Sequence, residues 1–441
     1  MISPPTIRSV YIPAEIPSMS QQVFLRDAMR RLNFTRDALA QRIGVSRRAL
    51  DSWLLPDESP EMRKMPEIAQ RFMLEILKIE GLDTQGVQDR PAVNSELGQH
   101  LLSVDSYTRD SLEALLRVAD IMQPVARRQK TTRVLEGAVL ANLFFEASTR
   151  TRLSFSAAFA RLGGSVCDTT GFTFSSMAKG ESIHDTSRVI SGYADAIVVR
   201  HPEQGSVAEF ARATHVPVIN AGDGPGEHPS QALLDLYTIQ REFSRLDKLI
   251  DGAHIAFVGD LKYGRTVHSL SKLLALYRHL NITLISPPSL MLPAPLVEHL
   301  ARQGHHIEQT HDLANGLKGA DVVYATRIQK ERFAQEETLE GYSADFQINQ
   351  ALVNATCGPH TLIMHPLPRD SRPGANDLSI DLNQDSRLAI FKQTDNGIAV
   401  RMAIFATLLG VQDQVPHSLR EVGWRVPVYL GPGEEVPYRD Q

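Results

Sequence analysis

Ser148-Thr149-Arg150-Thr151 follows the apolar run VLEGAVLANL and precedes a helix-length segment, RLSFSAAFARLGG. Three hydroxyls and a guanidinium at a helix start outline an anion receptor. The first backbone N–H groups of a helix have no partner within it, and the positive end of the helix dipole lies there. Arg150 adds a fork that can grip two phosphate oxygens at once. An ordinary reading competes, because Ser and Thr are among the preferred helix caps.

Other clusters carry related chemistry. His228 and Gln231 in HPSQALLDLYT stand about one turn apart at a helix start, where a His can polarise a carbonyl oxygen and a Gln can recognise a neighbouring amide. A His beside Pro at such a place is equally a structural feature. The segment GDLKYGRTVHSL, residues 259–270, follows the strand-like HIAFV and comes one residue short of a P-loop. The missing residue is the phosphate-reaching Lys, replaced by Arg265, a planar fork suited to carboxylates. That substitution argues against a nucleotide triphosphatase. Lys179, Arg200 and Arg327 are loop cations, each by itself an ordinary solvated charge. HPLPR, residues 365–369, is a rigid turn whose two prolines remove donors and leave carbonyls to accept.

The elements that must position these residues alternate. From residue 98 onward, short apolar runs (VLANLFF, DAIVVRH, VPVINAG, HIAFVGD, NITLISP, ADVVYATR, TLIMHPLP) are separated by amphipathic segments of helical length. Such alternation predicts an α/β fold of parallel sheets with helices on both faces. Several of the clusters fall just after an apolar run, where such sheets build their sites. The 441 residues, 42% hydrophobic and 22% charged with a net charge of −5, describe a globular chain that is not basic throughout. Two distant cysteines, Cys167 and Cys357, offer neither a disulfide framework nor a zinc site. No signal-peptide pattern opens the chain and no apolar run approaches a membrane span, so a cytoplasmic protein without a membrane partner is expected.

Taken in order, STRT, the KGES loop, VVRHP, HPSQALLDLYT, GDLKYGRTVHSL, TRIQKERF and HPLPR resemble the motif set of the aspartate carbamoyltransferases, over residues 98–411 or roughly 70% of the chain. The resemblance implies transfer of the carbamoyl group of carbamoyl phosphate to L-aspartate, an early step of pyrimidine synthesis, with no metal or other cofactor. It implies a carbamoyl phosphate-binding domain at 98–240, completed by a returning helix at 395–411, and an aspartate-binding domain at 241–392. Hinges are expected near residues 240 and 395. Carried over by motif, Ser148, Thr149, Arg150 and Thr151 cradle the phosphate with Arg200. Thr151, Arg200 and His228 face the carbamoyl oxygen. Gln231 and the turn at Pro366, Leu367 and Pro368 hold the carbamoyl nitrogen. Arg265, Arg327 and Gln329 clamp the aspartate carboxylates. Ser175 and Lys179 match a loop that reaches in from a neighbouring subunit, implying a homotrimer with shared sites and leaving open a larger assembly. Ornithine carbamoyltransferases are the alternative, but they carry a Cys in the turn that reads HPLP here. After Arg369 the chain departs from the acidic run usual in the family and reads DSRPGANDLSIDLNQD.

Residues 20–82 lie outside that resemblance. LAQRIG, Gly44-Val45 and SRRALDSW look like the first helix, turn and reading helix of a helix-turn-helix, with Arg47 and Arg48 outward. Residues 20–56 hold seven Arg against three Asp, the balance that phosphate contact requires. A nucleic-acid partner and a docking bundle are both consistent with this stretch, and a DNA-binding regulator on a carbamoyltransferase fold is the alternative function. Residues 83–97 read as a linker, 412–441 as a C-terminal tail, and the stretch from Pro416 on as a loosely held extension.

Overall fold

The structure is a computed structural model that describes residues 21–31, 34–55, 59–66, 69, 73, 100–171, 179–327, 346–370 and 377–424. The chain forms two compact units, residues 1–92 and 93–441.

The first unit contains α1 (Gln21–Arg31), α2 (Arg36–Arg42) and α3 (Arg47–Trp53). Thr35 and Ser46 cap α2 and α3 by accepting from the N–H groups of Ala38 and Ala49. Leu25, Leu39, Leu50 and Met73 are fully buried and form the centre of its apolar cluster with Trp53 and Leu54. Two short helices, α2 and α3, are thus joined by a turn at Gly44 between residues 36 and 53. The arginines differ from expectation. Arg47 pairs with Asp37 and Asp51, and Arg36 also reaches Asp51, so of the expected outward pair Arg48 is exposed while Arg47 is half-buried in ion pairs. The acids sit one helical turn away on the same or the facing helix, and pairing of this kind follows directly. The helix-length segment MPEIAQRFMLEILK, residues 65–78, lies mostly outside the described residues.

The second unit begins with α4 (Arg109–Ala126), whose Thr108 and Ser111 form a reciprocal capping box. There follow β1 (Lys130–Thr131), β2 (Val139–Phe144), α5 (Thr149–Arg161), β3 (Ser165–Thr170), α6 (Ile183–Ile190), β4 (Ala196–His201), α7 (Ser206–Arg212), β5 (Val218–Asp223) and α8 (Pro229–Ser244). Next come β6 (His254–Val258), α9 (Arg265–Leu274), β7 (Asn281–Ile285), α10 (Ala294–Arg302), β8 (His306–Thr310), α11 (Leu313–Gly316) and β9 (Val322–Ala325). The chain continues with α12 (Gln350–Thr356), β10 (Leu362–Met364), α13 (Ile390–Leu408), α14 (Val415–Ser418) and β11 (Arg420–Glu421).

Two all-parallel sheets result, ordered β3-β2-β4-β5 and β10-β9-β6-β7-β8. Their central strands are covered by helices on both faces, which is why VLANLF, AIVVRH and HIAFV read as continuous apolar runs rather than alternating ones. The edge strand β8, HIEQT, is polar and largely exposed, as an edge must be to avoid adding another strand.

The long helix α13 packs against α4, α5 and α8. Phe405 on it meets Phe155 and Phe159 of α5 edge-on, with ring centroids 5.8 and 4.9 Å apart. Burying such a ring contributes about 2–3 kcal/mol, enough to fix α5, and with it the segment at its start. One expectation needs correction. The tail is not loose from its beginning: Val415 is fully buried, Ser418 shares a hydrogen bond with Thr132, and β11 pairs antiparallel with β1.

Candidate active site

Each parallel sheet reverses its strand order once, between β2 and β4 in the first and between β6 and β9 in the second. A crevice opens at the carboxyl ends of the strands at such points, because the neighbouring connections leave to opposite faces. Glu146–Thr151 leave β2, Arg200 lies inside the end of β4 rather than on a loop as expected, Arg265 follows β6, Thr326 and Arg327 follow β9, and His365–Pro368 follow β10. All of them line one cavity of about 790 Å³.

Three helices start at this cavity. Ser148 holds the N-cap position of α5, yet its hydroxyl makes no capping bond, so the capping reading of this residue does not hold. His228 precedes α8 with Pro229 at the first helical position, and Gly264 precedes α9; neither provides a side-chain cap. Positive helix ends therefore converge where an anion would lie.

Cations gather at the same place. Arg200 lies 2.8 Å from Glu146, and Arg265 lies 4.0 Å from the same carboxylate oxygen. Both arginines cross Gly222, whose φ is +128°; a Cβ there would stand 3.0 Å from Arg200 Nη1 and 3.1 Å from Arg265 Nη2. Glycine is what gives the two guanidiniums room. Gly259 serves differently: with φ +113°, its missing Cβ would fall 2.3 Å from the Thr326 carbonyl oxygen, so its absence lets the ends of β6 and β9 approach. Arg265 Nη1 donates to the Gly224 carbonyl, across from its own helix, which is not a phosphate-loop arrangement. Burial lowers the Arg150 pKa, and the charge of Arg327 lowers it further, so these two guanidiniums repel until an anion joins them. Arg401, a buried residue of α13, also lines the wall, its pKa brought down to about 10 by burial against the opposing pull of Asp235.

The turn after β10 is held from behind. His365 accepts from Leu367 N–H through Nδ1 at 2.8 Å, so its Nε2 carries the proton and donates to Asp377 at 2.9 Å. Leu367 sits at φ +58°, a left-handed conformation costing a branched residue about 1–2 kcal/mol. A strained residue held by a buried network marks a position the fold maintains for a purpose.

Comparison with known proteins gives this cavity its context. A family model described as "Aspartate/ornithine carbamoyltransferase, carbamoyl-P binding domain" matches residues 99–241, and one described as "Aspartate/ornithine carbamoyltransferase, Asp/Orn binding domain" matches 251–408. The aspartate carbamoyltransferase catalytic subunit of Dichelobacter nodosus is 62% identical over 317 residues, covering 72% of this chain and 91% of the relative. The chain belongs to the aspartate carbamoyltransferase family. The catalytic subunit of Saccharophagus degradans is 57% identical, covering 74% of this chain and 97% of its own. Aspartate transcarbamoylase of Trypanosoma cruzi in complex with N-(phosphonacetyl)-L-aspartic acid superposes with a TM-score of 0.63 at 37% identity, covering 74% of this chain and 99% of that one.

Most residues expected from the carbamoyltransferase motifs meet in the one cavity: Ser148, Thr149, Arg150, Thr151, Arg200, His228, Gln231, Arg265, Arg327, Pro366, Leu367 and Pro368. Lys179 does not; it is exposed and absent from the cavity wall of its own chain. Ser175 and Gln329 lie outside the described residues, as do residues 371–376 of the unusual segment after Arg369. The motif reading missed Glu146, Asp235 and Arg401. Glu146 stands only two residues before Ser148, so local spacing held a signal for it; Asp235 and Arg401 depend on partners far along the chain.

Proposed function

We propose that this cavity transfers the carbamoyl group of carbamoyl phosphate to the amino group of L-aspartate, giving N-carbamoyl-L-aspartate and phosphate at an early step of pyrimidine synthesis. The observation that carries the reading is the convergence of both sheet reversal points, three open helix starts and the arginines on one cavity. The two substrates bring one phosphate and two carboxylates, and this wall supplies matching charge in two groups. The start of α5 with Ser148, Thr149, Arg150 and Thr151, joined by Arg200, receives the phosphate. Arg265 and Arg327, with Gln329, receive the carboxylates.

In the reaction the amino nitrogen lone pair of aspartate attacks the carbamoyl carbon. Negative charge develops on the carbamoyl oxygen, where Thr151, Arg200 and His228 donate. The bond from carbon to the phosphate oxygen then breaks, phosphate departs with that electron pair, and the nitrogen releases a proton. Holding two reactants in line contributes about 7–11 kcal/mol to such a step, and each donor aimed at the developing oxyanion about 2.7–4 kcal/mol. Gln231 and the carbonyls at Pro366 and Leu367 accept from the carbamoyl NH₂ and fix which face is attacked.

The exposed position of Lys179, away from its own cavity, supports a homotrimer in which this residue and Ser175 complete a neighbour's site. The reduced thiols of Cys167 and Cys357 suit a cytoplasmic enzyme, and among the described residues no single helix is long and apolar enough to cross a membrane. The N-terminal unit is helix-turn-helix-like in build, but its Arg36 and Arg47 already hold carboxylates, which counts against phosphate contact by these two. A gel shift with genomic fragments tests that point directly.

The decisive assay measures carbamoyl aspartate from carbamoyl phosphate and aspartate, beside ornithine under the same conditions. Product from aspartate alone is expected. Product from ornithine and none from aspartate would reject the assignment.

A further inference from the structure

Asp235 lies on α8, one turn beyond Gln231, with none of its surface exposed. Its carboxylate accepts three hydrogen bonds from three different elements. Gln231 Nε2 donates to Oδ1 at 2.8 Å from the same helix, Gln393 Nε2 donates to Oδ1 at 2.6 Å from α13, and Tyr324 Oη donates to Oδ2 at 2.6 Å from β9. The buried Arg401 of α13 supplies opposing charge.

An ionised carboxylate can only accept, whereas a side-chain amide donates at one end and accepts at the other. Asp235 therefore decides how both glutamines are turned. Each must present its NH₂ to the carboxylate and its oxygen elsewhere. For Gln393 the other end is visible: Oε1 accepts from the His365 N–H at 3.1 Å, at the start of the turn that lines the cavity. For Gln231, which lines the same wall, the carbonyl oxygen is the end left for the cavity.

We propose that Asp235 is a positioning residue for the carbamoyl nitrogen. It turns the Gln231 carbonyl oxygen toward the substrate NH₂ and, through Gln393, anchors the His365–Leu367 turn whose carbonyls accept from the same NH₂. Both acceptors thus hang from one buried carboxylate that never touches the substrate. The inference rests on the reading of the cavity as a carbamoyl phosphate site and deepens it. Replacing the carboxylate by an amide puts a donor among three donors. One glutamine must then turn or lose its partner, and a turned Gln231 would present NH₂ to NH₂.

The test compares Asp235→Asn with the parent, using carbamoyl phosphate as substrate and inorganic phosphate as a competitive probe of the phosphate cradle alone. Loss of a correctly aimed buried acceptor predicts a fall of about 10- to 100-fold in kcat/KM for carbamoyl phosphate, while the phosphate inhibition constant stays within about twofold. In a Gln231→Ala background the same change should cost clearly less, since part of its effect acts through that amide. Equal weakening of phosphate and carbamoyl phosphate, or full additivity with Gln231→Ala, would overturn the proposal. Should Asp235→Asn fail to fold, Gln393→Met carries the same expectation, because it frees the His365 N–H and leaves Gln231 in place. Unchanged carbamoyl phosphate kinetics in that variant would also overturn it. A parent protein with no carbamoyl aspartate activity would sink the reading of the cavity instead.

Discussion

Helix starts in this chain are of two kinds. Thr35, Ser46, Thr108, Ser182, Asp312 and Asn349 each turn a side-chain oxygen onto the first turn of the helix that follows. The three starts at the cavity do not, nor do those at Gly205, Pro293 and Ala389, although Ser148 is the same amino acid as Ser46 and Ser182. A cap stabilises a helix by about 1 kcal/mol, so an open start gives up stability and keeps its donors for something else. Two arginines differ in the same way. Arg47 in the N-terminal unit is matched by Asp37 and Asp51, whereas Arg150 at the cavity has its pKa lowered by burial and by another arginine. Where the chain closes its polar groups on one another it builds structure, and where it leaves them facing each other across a cavity it builds a receptor.

The harshest way to break this contrast is Arg150→Ala. With the guanidinium removed from an anion site, kcat/KM for carbamoyl phosphate is expected to fall by about 10²- to 10³-fold, with the melting temperature unchanged. A large drop in melting temperature, with full activity in the folded fraction, would make Arg150 structural and erase the distinction. Mixing sharpens it further. If the proposed homotrimer with sites shared between neighbours holds, chains carrying Arg150→Ala and chains carrying Lys179→Ala, each inactive alone, should recover about a quarter of parental activity when dissociated and randomly reassembled together. No recovery would leave Lys179 a surface charge.

The strands and the motif residues were legible because each is local: a strand buried on both faces is an apolar run, and the motifs follow such runs. What was hidden depends on distance along the chain. Asp235 reads as an ordinary helix-surface acid, and only Tyr324, 89 positions on, and Gln393, 158 positions on, make it a buried hub. The tail looked loose because a two-residue pairing between β1 and β11 leaves no pattern in either segment. Arg47 looked outward because a count of seven Arg against three Asp does not show that Asp37 and Asp51 both face this one arginine.

The same hub gives a pH signature. Burial raises the Asp235 pKa from 3.8 to about 6, against the hydrogen bonds of Tyr324, Gln393 and Gln231 and the charge of Arg401. Below that value Asp235 takes a proton, becomes a donor and releases its hold on the amides, so kcat/KM should climb through an acid limb near pH 6 that Asp235→Asn lacks. Stability runs the other way. Since the folded-state pKa exceeds the unfolded one, the contribution of Asp235 is full below pH 3.8 and is lost as pH rises through about 6. Relative to the parent, Asp235→Asn should therefore gain in denaturant midpoint between pH 4 and pH 6. A difference that stays constant across that range would show that the carboxylate is already ionised in the folded state at pH 4.

The smallest effect discriminates most finely between the two kinds of helix start. Thr108→Ala removes a hydroxyl that caps α4 and should lower stability by about 1 kcal/mol while leaving carbamoyl aspartate formation untouched. Ser148→Ala removes a hydroxyl from the same position of α5, where it caps nothing, so stability should hold within about 0.5 kcal/mol. Its loss should appear instead in the substrate, as a several-fold rise in KM for carbamoyl phosphate, the size expected for one hydrogen bond worth about 1 kcal/mol net. Denaturation curves and initial rates on the two variants suffice. If both alanines cost stability alike, the first turn of α5 is an ordinary capped helix in solution, and the phosphate cradle must be sought in Arg150 and Arg200 without it.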